Sequence, residues 1–171
     1  VSDEEQVADA LYRFSSRNGL ITKELRQEMY NRVCRIVPQR YCSRQEALIH
    51  SRPVKLDGIH LGNIDVLEGI EPADAVFEFC SKSNKLSWTH GLQILNEICS
   101  RIFCSRRLPF VYSEPIEVNG VDLGVLRVLM NEEVADAVMK FIDNFPDKRI
   151  HSGTKEMLYK IVCQNMESSS T

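Results

Sequence analysis

The stretch "EPADAVFEFC", residues 71–80, is written again as "EEVADAVMKF" at 132–141 and as "EEQVADALYRF" at 4–14. Three spellings of one segment in a chain of 171 residues point to a repeated structural unit, and that unit decides the fold. Working outward, an offset of 62 lays residues 42–79 over 104–141: Cys42 meets Cys104, Pro53 meets Pro115, Gly58 meets Gly120 and Gly62 meets Gly124. Further on the offset becomes 64, and Ile98 with Cys99 meets Val162 with Cys163. Against the first segment the offset is 65, so Ala8, Asp9, Ala10, Leu11 and Phe14 fall on Ala73, Asp74, Ala75, Val76 and Phe79. The first repeat has no counterpart of the front half. The chain reads most simply as a piece of a longer array, a natural end at the tail being the alternative, and is divided into a partial repeat (1–42), a full repeat (43–104) and a second full repeat (105–171).

Each full repeat opens with a predicted hairpin. "PVKLDGIHL" and "PIEVNGVDL" set Asp-Gly and Asn-Gly between alternating apolar residues, the chemistry of a two-residue turn with positive φ at both centres. Val54, Leu56, Ile59 and Leu61 are expected on one face. The alternation resumes one step late after Gly62, at Ile64 and Val66, which predicts a bulge there. A short helix follows, with entry signals at Ser2 and Glu5 (a capping box), at Pro72 and at Asn131, and with Asp9, Asp74 and Asp136 near its positive end. A longer helix closes the repeat. Met29, Ile94 and Leu158 are equivalent in it, as are Tyr30, Leu95 and Tyr159, then Val33, Ile98 and Val162, then Cys34, Cys99 and Cys163, which makes one apolar face. The fold class is α+β: tandem repeats of a β-hairpin followed by two helices, the first repeat lacking its hairpin.

Composition sets the outer limits. With 43% hydrophobic and 26% charged residues and a net charge of −3, the chain is globular in type, too mild in charge to imply nucleic acid and without an apolar run that could insert in a membrane. No Asn-x-Ser/Thr sequon occurs, which leans away from a glycosylated ectodomain.

Six cysteines carry the main open question. Cys34 with Cys42, and Cys99 with Cys104, bracket the ends of equivalent helices. One reading makes each pair a disulfide in an oxidising, secretory or extracellular setting, with Cys80 and Cys163 either free or paired across repeats. The other makes all six buried thiols of a cytoplasmic protein. Neither a C-x-x-C motif nor Cys/His ligands at zinc spacing are present: His50, His60, His90 and His151 are scattered. Thr89-His90-Gly91 and His151-Ser152-Gly153 read as loop and cap residues. No catalytic residue, cofactor or metal is expected. Arg101, Arg106 and Arg107, echoed by Arg35, Arg40 and Arg44, form the densest basic patch, which reads either as a solvated helix end or as a surface for an acidic partner.

The segment from Glu71 and Pro72 through Val76 and Phe79 to Leu86, with Phe14 and Leu20 in the first repeat, is similar in shape to the ubiquitin-binding PFU module. The likeness covers about 30 residues per repeat, and the tandem arrangement and recurring cysteines depart from that family. It implies a ubiquitin-type binding adaptor as one alternative. A second is a non-catalytic accessory segment of a larger enzyme. The leading expectation is a non-enzymatic interaction or scaffold segment that binds a protein partner or self-associates through its repeats.

Overall fold

The structure is a computed structural model and describes residues 5–83, 85–118, 120–145 and 152–168. The chain divides into two compact units, Val1–Ser105 and Arg106–Thr171. In the first, α1 (Val7–Arg17) and α2 (Lys23–Val33) lead through a 3-10 turn at Gln39–Cys42 to strands β1 (Leu48–Leu56) and β2 (Ile59–Leu67). Helices α3 (Pro72–Lys82) and α4 (Trp88–Cys99) follow. The second repeats the latter pattern with β3 (Phe110–Val118), β4 (Val121–Leu129), α5 (Val134–Asp143) and α6 (Ser152–Ser168). The fold is α+β, with two antiparallel hairpins each followed by a helix pair and a first helix pair without a hairpin.

The hairpins form where the turn chemistry placed them. Asp57 and Gly58 both take positive φ (51° and 81°), the backbone that lets a two-residue turn follow strand twist. Val54 pairs with Gly62 and Lys55 with His60, so Leu61 is the extra residue of a bulge beside Gly62, whose φ is 131°. The third repeat does the same with Ile116, Gly124, Glu117 and Asp122. A further irregularity near the other end of each hairpin, at Ile49 and Val111, was not foreseen. Of the four residues expected on one face, Val54 is buried and Leu56 and Leu61 are half-buried. Ile59, in the last pair before the turn, is exposed.

Each hairpin lies on the helix pair that follows it. In the second repeat Val54, Ile64 and Val66 pack with Ala73, Val76, Cys80, Leu95 and Ile98. In the third, Ile116, Leu126 and Val128 pack with Ala137, Val138, Phe141, Leu158 and Val162. Burying side chains of this size stabilises by about 1.5–3 kcal/mol each, so these clusters are the main source of stability within a repeat. The first repeat has a smaller core of Val7, Ala8, Tyr30 and Cys42.

Helix entry differs in part from expectation. Pro72 opens α3 at its first position, where its missing N–H costs nothing, and Asp9, Asp74 and Asp136 stand in first turns. Ser2 lies outside the described residues, and α1 begins after Gln6. Asn131 does not cap α5; Glu133 holds that position. Asn131 has φ 66° and stands where the second repeat has Gly69 at φ 85°. The turn demands a left-handed residue, and Asn is among the few side chains that accept it.

Candidate interaction interface

The functional candidates lie where one repeat hands over to the next. Gln6, just before α1, accepts from the backbone N–H (3.1 Å) and hydroxyl (2.9 Å) of Ser43 through Oε1. Glu71, just before α3, accepts in the same way from Ser105 N–H (2.9 Å) and Oγ (2.6 Å). The residue ahead of the short helix therefore grips the serine of the Cys-Ser-Arg triplet that follows the helix pair.

At the first junction Asp9 does more than suit a helix dipole. Its Oδ1 accepts from the backbone N–H of Leu48 at 2.7 Å, and its Oδ2 pairs with the guanidinium of Arg44. Arg44 in turn donates to the Glu46 carbonyl at 2.7 Å, which folds the leading segment onto itself. In the third repeat Arg106 likewise donates to the Leu108 carbonyl, and its guanidinium lies 3.8 Å from the centre of the Phe110 ring. Arg26 adds a second tie: it donates to Ser15 Oγ at 2.9 Å, pairs with Glu68 at 2.5 Å and stacks over Tyr12. Half-buried charge-assisted contacts of this type are stronger than exposed ones.

Disulfides fix the same junctions covalently. Cys34 is joined to Cys42 and Cys99 to Cys104, with Cα separations of 5.9 and 5.5 Å. Tyr30 completes the first junction by donating its hydroxyl to the Cys42 carbonyl at 3.0 Å. Covered in this way, Tyr30 is 6% exposed, and the space left between Ala8, Leu11 and Gln27 on one side and Gln45 and Glu46 on the other is about 60 Å³.

At the third repeat the equivalent positions are open. Glu133, Ala135 and Asp136, the counterparts of Gln6, Ala8 and Asp9, are exposed. Tyr159 is 44% exposed, where Tyr30 is 6% and Leu95 is 0%. The groove between Ala135, Val138, Lys155, Glu156 and Tyr159 measures about 250 Å³. Cys163, at the position of Cys34 and Cys99, is a half-buried free thiol. It hydrogen-bonds with Tyr159, and that bond, foremost, pushes the Tyr159 phenol above its usual range.

The other candidates are placed as follows. Cys80 is a buried free thiol that burial pushes up, away from the reactive thiolate. Arg101 belongs to the first unit and Arg106 and Arg107 to the second, so different bodies carry the three arginines of the basic patch. His90 is a cap residue rather than a loop residue: it lies in the first turn of α4, where its Nδ1 accepts from the Ser87 N–H at 3.3 Å and completes a capping box. His151 lies outside the described residues. Among the described residues no cluster of His, Cys, Asp or Glu could hold a metal ion, and no helix is long and apolar enough to cross a membrane.

Sequence reasoning missed the partner role of Gln6, Asp9 and Glu71. Its signal was the recurring "CSR" at 42–44 and 104–106, which returns once after the start of each of the first two short helices. The class defined by these features is an α+β chain with a repeated hairpin-and-helix-pair pattern, in which two helix ends are each tied by a disulfide to the segment that follows. No family model matches the chain, and neither a curated protein nor a solved structure is significantly similar to it.

Proposed function

We propose that this chain is a non-enzymatic interaction segment, working in an oxidising compartment, that associates head to tail with further repeats of its own kind or with a protein that imitates them. One observation carries the reading: two faces that are covered within the chain, one by a hairpin and one by a leading segment, recur in exposed form on α1–α2 and on the third repeat. Phe14 is 49% exposed, whereas its counterpart Phe141 is 8% exposed under a hairpin, and Phe79 is half-buried against Gly62. The α1–α2 pair thus presents the face that carries a hairpin elsewhere. The third repeat presents the groove that a leading segment fills at the first junction. Each exposed face takes a different element, a hairpin in one case and a leading segment in the other, so a further repeat that supplies them makes a heterologous contact rather than a closed two-fold dimer. The cysteine pairs support the compartment, since such bonds persist where thiols are not continually reduced.

The test is sedimentation velocity on the disulfide-intact chain over a wide concentration range, followed by cross-linking and mass spectrometry. Association that rises with concentration is expected, with cross-links between α1–α2 of one molecule and the third repeat of another. Replacing Phe14 by Glu should abolish it. A strictly monomeric chain, or symmetric cross-links between like surfaces, would overturn the head-to-tail reading.

A further inference from the structure

We propose that the groove of the third repeat, with Cys163 one helical turn beyond its Tyr159, is a covalent docking site for a leading segment of the Cys-Ser-Arg type. This rests on the interaction reading above and names the occupant of one of its two faces. The occupant is drawn from the chain itself, which shows a cysteine at this helix position bonded twice. Cys34 bonds Cys42 and Cys99 bonds Cys104, and in both cases a serine and an arginine follow the partner cysteine.

The recognition chemistry is already laid out around the thiol. Glu133 stands where Gln6 and Glu71 accept from the serine N–H and hydroxyl. Asp136 stands where Asp9 accepts from the arginine guanidinium and from the N–H six residues beyond the partner cysteine. Tyr159 stands where Tyr30 donates to the carbonyl of that cysteine. All three are exposed, and the groove beside them is some four times the volume of the space that remains once the first junction is filled, about 250 against 60 Å³. A segment that presents a serine and an arginine fits the carboxylates of Glu133 and Asp136. The two internal partners lie 8 and 5 residues from their cysteines, so docking does not depend on one connecting length.

The covalent step is thiol–disulfide exchange. The Cys163 thiol loses its proton, its sulfur attacks the disulfide of an activated segment, a new S–S bond forms, and the displaced thiolate takes up the proton. Between two free thiols the same bond requires a two-electron oxidant of the disulfide class.

The experiment uses the full chain with its two internal disulfides intact. Its probe is an acetylated peptide of residues 42–51, CSRQEALIHS, whose cysteine carries a 2-thiopyridyl group. Release of thiopyridone gives the rate, and peptide mapping gives the site. The peptide should modify Cys163 about tenfold faster than a scrambled peptide with the same activated cysteine, because docking raises the local concentration. Cys80, being buried, should stay unmodified. The preference should disappear in the Asp136→Asn, Glu133→Gln double variant, whose exposed substitutions leave the core untouched and whose fold circular dichroism verifies. Equal rates for the two peptides, or a preference that survives in the double variant, would overturn the proposal. Sedimentation separates this failure from that of the broader reading: if a Cys163→Ser chain still associates head to tail while the peptides react equally, covalent docking falls and association stands.

Discussion

Cys80 is the one residue of "EPADAVFEFC" that the repeat does not explain, since Ser15 and Ile142 occupy its place elsewhere. Its reason lies across the helix pair. A β-carbon added to Gly91 would come within 3.0 Å of Cys80 Sγ and 2.9 Å of the Trp88 ring, so the glycine lets the thiol and the indole close over α4. In the first repeat the same two positions hold Ser15 and Arg26, which hydrogen-bond at 2.9 Å. The pair has been rebuilt from a polar contact into a close apolar one, and neither half makes sense alone. Gly91→Ala should therefore destabilise the first unit by about 1–3 kcal/mol despite the better helix propensity of alanine. Adding Cys80→Ala should recover part of that loss, because it removes one of the two clashing groups. Urea unfolding of the single and double variants measures the coupling. Strict additivity would show that the sulfur contact does not set the glycine.

The elements were legible where one local rule decided them. Turn dipeptides, the late alternation after Gly62 and the proline at the start of α3 each act over a few residues, and the hairpins and helices stand where those signals lie. The site was legible only in part. Asp9 and Glu71 look like ordinary acidic helix starts, and only the arrival of a segment more than thirty residues away gives them partners. Asn131 misled for a related reason: capping and left-handed turns favour the same side chain, and the strand–helix geometry selects the turn. At the same corner Glu132 shows how an element end is fastened. Its carboxylate accepts from the Leu129 N–H at 3.0 Å and pairs with Lys140 at 2.6 Å, tying the end of β4 to α5. These contacts, the backbone bond first, hold its pKa below the usual carboxylate range. A depressed folded pKa means stability that is present above the ordinary carboxylate pKa and lost as pH falls through the folded value. Glu132→Gln should thus cost about 1–2 kcal/mol near neutrality, and the gap to the parent chain should close in acid. Unfolding midpoints measured across that range decide it, and a gap independent of pH would show that charge is not what the corner uses.

For the whole molecule, the question is how a helix pair with so small a core stays folded. The first repeat buries Val7, Ala8, Tyr30 and Cys42, and it lacks the hairpin that completes the cores of the other two. In a repeat array, stability is a sum of what each repeat supplies and what each junction adds. Here the junction must carry much of the load, through Asp9 with Leu48 and Arg44, Arg26 with Glu68, Gln6 with Ser43, and the Cys34–Cys42 bond. The second repeat is in turn held to its own hairpin by a broad apolar cluster and by the Arg52–Glu97 pair, so it can anchor a weaker neighbour. Removing one junction group should accordingly loosen α1 and α2 far more than any other helices. Asp9→Ala leaves the Leu48 N–H and the Arg44 guanidinium without their acceptor, at a cost of about 1–2 kcal/mol. Amide exchange in α1 and α2 should then speed up about five- to thirtyfold, the factor that this free energy represents. Exchange in α5 and α6, which belong to the other compact unit, should stay unchanged. Mass spectrometry of deuterium uptake resolves these helices separately. Acceleration spread evenly over the chain would mean that the 171 residues unfold as one body and that the junction does not set the stability of the first repeat.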